Sequence, residues 1–539
     1  MKSIAYVAQN QRFQSILLIA VIFLSALGVR LRLRDAFEFD GLYGQDAFAY
    51  FEYGHEVRDA VHDFRAPGPM YWPLGFPILL AAGFAIGGEN EQVAQGLVLV
   101  LSALIPVLIY GFMRDGLPLM RWSKKKARLA GMTSALILIF SGQLLQSSVV
   151  VMADVPALFW ATLSLWALGR YFRKSDHKQR HGWIALAAFA LAMATITRWL
   201  YGVLAVPYAL SCLVWWRGQN KDRQILALPR RNSGKYWRDG VLAVVVGVLI
   251  LLPQFLHSRS NPVSVIDHAW LRDWNIENAF KKDFVTPDGT FHYDEDVAQY
   301  YSEAAYDGWY LHPLFTVAMG VGLLTLLWRA WRNYAATTLF VLLVGWGIAA
   351  YGFLVGIPYQ NVRFSLAYFL PLVVLAGIGV ASVWVRLQQL SAVSTLKPIS
   401  LATRGLVLLA VVVAAESPQS QAHDTVAWLV ERKNEDYEAV QWAAGAIPAS
   451  STVYVLELWP MMRHYVPQVR TVEIYYETPT SMTQRLPQDR PAYLLLNMWA
   501  IQHQWVGKIP AQIYEALAEQ PGLVRLGRYG NYHLFRVLE

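Results

Sequence analysis

The chain is poor in cysteine and in charge. One of its 539 residues is cysteine, Cys212, and it lies in an apolar segment. That excludes an intrachain disulfide and suggests no cysteine metal cluster. Only 16% of residues are charged, against about a quarter in an ordinary soluble domain. A glycine-rich phosphate cradle is also missing. No Walker or Rossmann pattern stands between a strand and a helix, which argues against an ATP-driven pump. No small-residue cleavage site follows the first apolar segment, Ile16–Val29, so it reads as a retained anchor.

What is abundant is apolar. Hydrophobic residues make up 55% of the chain, with long runs at 16–29, 92–112, 241–252, 336–355 and 367–383. About twenty such residues cross a ~30 Å bilayer core as a helix. The fold class expected is a polytopic α-helical membrane protein with a C-terminal soluble α/β domain. Eleven spans are expected near 14–33, 92–113, 129–147, 155–172, 183–197, 200–216, 240–257, 311–330, 336–356, 364–386 and 400–416.

The net charge of +8 would suggest nucleic acid in a soluble protein. Here the cations crowd into short loops between apolar runs, so no nucleic-acid partner is expected and membrane lipids are. Loops 111–128, 170–181, 217–238, 329–332 and 386–404 are basic and are placed in the cytoplasm. This works only if Pro73–Gly87, about fifteen residues with two prolines and several glycines, does not span. It reads as a juxtamembrane or re-entrant element on the outer face. The N-terminus is then cytoplasmic, the C-terminus outside, and a bacterial inner membrane the expected location. Residues 1–416 form the membrane part, with outer loops 34–91 and 257–310.

After Glu416 the sequence becomes polar and alternating. Thr452–Leu456, Val469–Ile474, Ala492–Leu496, Leu523–Arg528 and Tyr532–Val537 read as strands, with a turn at Tyr529-Gly530-Asn531 and helices at Asp424–Ala446 and Pro510–Glu519. Residues 417–539 are long enough for their own core.

The candidate chemistry gathers in the outer segments. Arg30 and Arg34 share a helix face at the end of the first span; they either snorkel to headgroups or clamp a lipid phosphate. Asp46, in Gly44-Gln45-Asp46-Ala47-Phe48-Ala49-Tyr50, is a carboxylate beside lipid and a candidate general base. Asp35, Glu38 and Asp40 compete with it. Asp154, just before Pro156, is either a helix cap or a functional acid. Arg198 and Arg363 are lone cations in tight outer turns and suit a phosphate-bearing substrate. The loop 257–310 carries His257, His268 and several acids. Of these, Asp294 and Asp296 are candidates for a divalent cation, or else part of a solvated acidic patch. Its many tyrosines and tryptophans fit sugar stacking and an interfacial aromatic belt equally.

These features together resemble the polyprenyl-phosphate-sugar-dependent glycosyltransferases of the GT-C fold, the broad group that includes protein O-mannosyltransferases and lipid A aminoarabinose transferases. The resemblance is carried by Asp46 with Tyr50, by Pro73-Leu74-Gly75-Phe76-Pro77-Ile78-Leu79-Leu80, by Asp154-Val155-Pro156, by Thr197-Arg198, and by Arg363-Phe364 followed by Pro371. Two departures stand out. Ala47 replaces a second acid common in relatives, and Arg198 stands where lysine is frequent. The Trp-Trp-Asp signature of oligosaccharyltransferases is absent, since Trp215-Trp216 is followed by Arg217.

The resemblance implies a membrane hexosyl- or pentosyltransferase that moves sugar from a polyprenyl-phosphate donor, undecaprenyl phosphate being the bacterial form, to a glycan, lipid or protein acceptor. It implies Asp46 as base, Asp154 as a catalytic or positioning acid, Arg363 and Arg198 (with Arg30 and Arg34) on the donor phosphate, and Tyr50 and Tyr359 as positioning residues. A divalent cation is the one cofactor candidate. A lipid-linked sugar flippase and a non-catalytic assembly subunit are the rival readings. The first should show internal repeats or paired broken helices, and no clear repeat is present.

Overall fold

The computed structural model of the chain describes residues 2–173, 177–225, 236–260, 269–390, 397–519 and 522–538. His268 and parts of three basic loops lie outside the described residues. The membrane part opens with α1 (Lys2–Asp35), α2 (Gly44–His62), α3 (Gly75–Gly87), α4 (Glu91–Gly116), α5 (Lys124–Phe140), α6 (Gly142–Val149), α7 (Asp154–Arg173), α8 (His177–Thr197), α9 (Ala205–Ile225) and α10 (Tyr236–Ser260). A long loop follows with α11 (Ala269–Arg272), strands β1 (Asp283–Thr286) and β2 (Gly289–His292), and α12 (Val297–Ser302). Then come α13 (Pro313–Ala330), α14 (Tyr334–Leu354), α15 (Leu366–Leu390) and α16 (Lys397–Glu416).

The eleven expected spans all fall on helices. Among the described residues, eight helices are long and apolar enough to cross a membrane, and the pair α5–α6 makes a ninth if counted as one. The remaining two are α7 and α16. Helix α7 carries Asp154 at its start and Arg170 and Arg173 at its end, and it packs between α4 and α8. A helix lined by protein needs less apolar surface than one facing lipid. Helix α3 has 13 residues, about 20 Å at helical rise, too short to cross. It lies against α2, α4 and α8.

One expectation fails in shape. Residues 129–147 are not a straight span, because the chain bends by 56° between α5 and α6. The bend is pinned from the loop before α13. Gly142 N–H donates to the Trp309 carbonyl at 3.1 Å, and Trp309 Nε1 donates to Gln143 Oε1 at 2.7 Å. A span can break at membrane depth only where protein re-satisfies its backbone, and Trp309 does so here.

The tightest crossing is between α13 and α15. A Cβ on Gly379 would lie 1.8 Å from the Ala318 carbonyl oxygen, and one on Gly322 1.9 Å from that of Leu375. Without water to drive association, membrane helices rely on such close backbone approach. Gly379→Ala is therefore expected to destabilise the protein by about 1–3 kcal/mol, seen as a lower unfolding temperature in detergent.

The C-terminal part begins directly after α16 with α17 (Pro418–Ala446). Strands β3 (Thr452–Val455), β4 (Arg470–Glu473), β5 (Ala492–Asn497), β6 (Leu523–Tyr529) and β7 (Tyr532–Val537) form one sheet in the order β4-β3-β5-β7-β6. β3 pairs parallel with β4 and β5, and β7 antiparallel with β5 and β6. Helix α18 (Trp459–Tyr465) connects β3 to β4, and α19 (Pro479–Arg485) leads on to β5. All five strands lie within a residue or two of the expected positions.

Candidate active site

Asp46 stands in the first turn of α2, where the helix dipole favours a carboxylate. Its Oδ2 accepts from Arg363 at 2.6 Å. Asp154 opens α7 and faces the Arg198 guanidinium, with Arg198 NH2 2.6 Å from one oxygen and 2.7 Å from the other. The Asp154 side chain thus serves an ion pair rather than the helix-capping role that Pro156 suggested. Arg198 sits just before the short helix Trp199–Leu204, and Arg363 is held in the turn Val362–Ser365 by Asn361, whose Oδ1 accepts the Arg363 N–H at 3.2 Å. The Phe364 ring lies beneath both cations, 5.0 Å from Arg198 and 5.8 Å from Arg363, and ties them together by cation–π attraction.

The two pairs differ in access. Asp46 and Arg363 keep 21% and 19% of their side chains exposed, whereas Asp154 and Arg198 keep 7% and 13%. Asp46 is thus the acid a second molecule can reach. Both arginines also hold Nε buried with no acceptor among the described residues, so each has a donor still to spend. Met152 lies against Arg363, a contact no sequence signal indicated.

The sequence motif around Pro73 explains how these parts meet. A Cβ on Gly75 would lie 2.5 Å from Thr197 Oγ1 and 2.7 Å from the Ile196 carbonyl. Only glycine lets the start of α3 touch the end of α8, next to Arg198. Tyr50 is fully enclosed between Trp72 and Phe76. Burial pushes its hydroxyl well above the ordinary tyrosine value; Arg198 opposes that, and Asp46 and Asp154 add to it. It stays a phenol that can donate.

Asp46, Asp154, Arg363 and the Tyr359 ring line a cavity of about 1100 Å³. Its floor carries Gln143, Gln146 and Ser147 of the bent helix, and its far wall comes from the C-terminal sheet, including Glu457, Trp459, Glu473 and Trp505. Beside it, a small hollow of about 80 Å³ is lined by Tyr50, Trp72, Arg198 and apolar residues such as Leu354 and Phe364. Trp72 borders both.

Four sequence candidates are placed elsewhere. Arg30 is fully buried, its guanidinium spent on Ser102 Oγ at 2.7 Å and the carbonyls of Ala26 and Leu138 at 2.9 and 3.3 Å. It locks α1 to its neighbours and has no face left for a lipid phosphate. Arg34 turns to Asp35 at 2.6 Å. Asp296 caps α12 through the Gln299 N–H at 2.8 Å, and the Asp294 carbonyl accepts from Lys282 at 2.6 Å. Among the described residues, no three His, Cys, Asp or Glu side chains come close enough together to hold a metal ion. Of the competing acids, Asp40 is taken by Lys433 of α17.

The sequence reading missed the hairpin β1–β2 and the far wall. The signal for the first was present, since Pro287-Asp288-Gly289 is a turn tripeptide between alternating runs. The hairpin tip docks on the C-terminal part: Tyr475 donates to Asp288, and Thr290 N–H donates to the Gln504 carbonyl at 2.9 Å.

A second dock is ionic. His464 of α18 lies 3.0 Å from Glu52 of α2 and 3.2 Å from Glu91. Burial lowers the His464 value, but Glu52 and Glu91 outweigh it and raise it overall. Burial opposes ionisation of Glu52, yet His464, Arg463 and His55 hold it below the usual carboxylate value. The charged contact is thus complete below the ordinary histidine value near ~6.5 and is lost as pH climbs through the raised one. At the acid end it fails only as pH falls through the depressed Glu52 value. Amide exchange across 459–466, corrected for intrinsic rates, is expected to be faster at pH 9 than at pH 6, with His464→Gln abolishing the difference.

Comparison with known proteins bears on the fold. The dolichyl-phosphate-mannose-protein mannosyltransferase family matches residues 82–261, about a third of the chain. Structures of ArnT from Cupriavidus metallidurans, apo and bound to undecaprenyl phosphate, superpose with a TM-score of 0.56 at 15% identity, covering 98% of both chains. The oligosaccharyltransferase of Archaeoglobus fulgidus gives 0.58 at 12% identity, over 95% of this chain and 74% of that one. This chain has the GT-C fold. No curated protein sequence matches it. Within the GT-C fold, the match to residues 82–261 runs from α3 through α10 and so takes in Asp154 and Arg198.

Proposed function

We propose that this chain is an integral membrane glycosyltransferase that moves a sugar from a polyprenyl-phosphate donor to an acceptor hydroxyl on the outer face of the membrane. The observation that carries the reading is the pair of carboxylate–arginine couples, Asp46–Arg363 and Asp154–Arg198, set between a large open cavity and a small, mostly apolar hollow. The undecaprenyl phosphate bound by ArnT supports the donor class, and the basic loops support a cytoplasmic N-terminus with the C-terminal sheet outside.

The donor phosphodiester meets Arg363 and Arg198, and its prenyl chain runs along the hollow beside Phe364. Taking Arg363 over, the phosphate releases Asp46 from its ion pair and turns it toward the acceptor. The acceptor oxygen attacks the anomeric carbon, the bond from that carbon to the phosphate oxygen breaks, and Asp46 receives the acceptor proton. Polyprenyl phosphate leaves with one more negative charge than it had as a diester, and the two guanidinium groups stabilise that increment. A single displacement inverts the anomeric centre. Asp154, enclosed against Arg198, acts as a positioning residue. The test is transfer of radiolabelled sugar from polyprenyl-phosphate donors in detergent. Transfer that requires Asp46 supports the enzyme, and lipid flipping without transfer supports a transporter.

A further inference from the structure

The cavity wall opposite Asp46 has no role in the donor chemistry. It is built at the carboxyl ends of parallel strands. Glu473 ends β4, Glu457 follows β3 by two residues, and Trp505 follows β5. In open α/β sheets that edge is where ligands bind. Three aromatic rings stand there. Trp459, Trp505 and Tyr476 line the cavity, and Tyr476 is 53% exposed overall.

The two carboxyl groups are unusual in their partners. Trp505 Nε1 donates to Glu457 at 3.4 Å, and Trp459 donates to Glu473. Among the described residues neither has a cation within ion-pair distance. Glu457 is also held at φ +69, a conformation that non-glycine residues rarely keep without a reason.

We propose that this wall is the acceptor subsite and that it takes a hydroxyl-rich acceptor, the sugar rings of a glycan or glycolipid headgroup. The inference rests on the glycosyltransferase reading above. Aromatic faces pack against the apolar faces of a sugar ring, and carboxyl groups receive its hydroxyls. Burial pushes Glu473 up to about 8, with the Trp459 hydrogen bond opposing the shift, so at neutral pH it both donates and accepts.

The test uses the full chain in nanodiscs and saturation-transfer NMR. The probes are neutral gluco-, galacto- and manno-configured trisaccharides and a threonine-containing peptide. At least one trisaccharide is expected to bind, and the peptide is expected not to displace it. Tyr476→Ala, at an exposed position that leaves the fold intact, is expected to weaken binding roughly three- to tenfold. Glu473→Gln, which keeps a donor and an acceptor, should retain it. The proposal is overturned if no trisaccharide binds, if the peptide displaces the sugar and binds more tightly, or if Tyr476→Ala changes nothing. Undecaprenyl-phosphate binding, measured on the same samples, separates the two readings. Its absence sinks the glycosyltransferase reading whatever the trisaccharides do, and its presence leaves the subsite to be judged on the sugars alone.

Discussion

Asp46→Asn is expected to lower sugar transfer by roughly 10²–10⁴-fold, the range general-base catalysis supplies, with donor binding preserved. The asparagine is nearly isosteric and its carbonyl can still accept from Arg363, so the fold has no reason to fail. What it cannot do is take the proton of the acceptor hydroxyl. Donor affinity should hold or rise, because the ground state pairs Asp46 with Arg363 at 2.6 Å and the phosphate has to displace that carboxylate. Weakening the ion pair removes a competitor. Single-turnover transfer and equilibrium binding of undecaprenyl phosphate, measured side by side, separate the two effects. Near-normal turnover in this variant eliminates Asp46 as the base.

Arg363→Ala has the complementary signature. A charge-assisted hydrogen bond is worth ~1.5–3 kcal/mol, so the affinity for undecaprenyl phosphate is expected to fall about 10- to 150-fold. Turnover at saturating donor should fall as well, since the leaving phosphate loses a counter-charge in the transition state. Arg363→Lys keeps the charge but not the fork that spans Asp46 and a phosphate oxygen, and is expected to recover only part of the affinity. Unchanged donor affinity in Arg363→Ala would remove the phosphate role. The two variants together decide whether base and phosphate clamp act as one unit. If they do, the donor-affinity gain from Asp46→Asn disappears in the Arg363→Ala background.

The extent to which this was legible in the sequence follows from the range of each interaction. Spans announce themselves because bilayer thickness sets their length, so helices were found at all eleven places. Strands of the C-terminal sheet announce themselves through alternation and a Tyr529-Gly530-Asn531 turn. Asp46, Asp154, Arg198 and Arg363 were found as isolated charges between apolar runs, and the structure brings all four together. Their pairing could not be read, because Asp46 and Arg363 are separated by most of the membrane part. Arg30 misled for a related reason. A cation near a helix end looks like a headgroup contact until Ser102 and two carbonyls from other turns and helices surround it. Glu457 and Glu473 carry no motif at all. They matter only because the sheet edge faces the membrane part, a fact that resides in the docking through His464, Lys433 and Asp288.

The 56° break after Phe140 has a consequence for the depth at which the reaction takes place. A straight continuation of α5 would carry apolar wall up to the membrane surface. Turning aside, α6 lays Gln143, Gln146 and Ser147 along the cavity instead. On the proposed glycosyltransferase reading, these polar side chains let the aqueous side meet the lipid below the membrane surface. A carrier with a long isoprenoid tail can present its first sugar without being pulled out of the leaflet, and the cost of dragging hydrocarbon into water is avoided. Trp309, by holding the bend, sets how far down that meeting point lies.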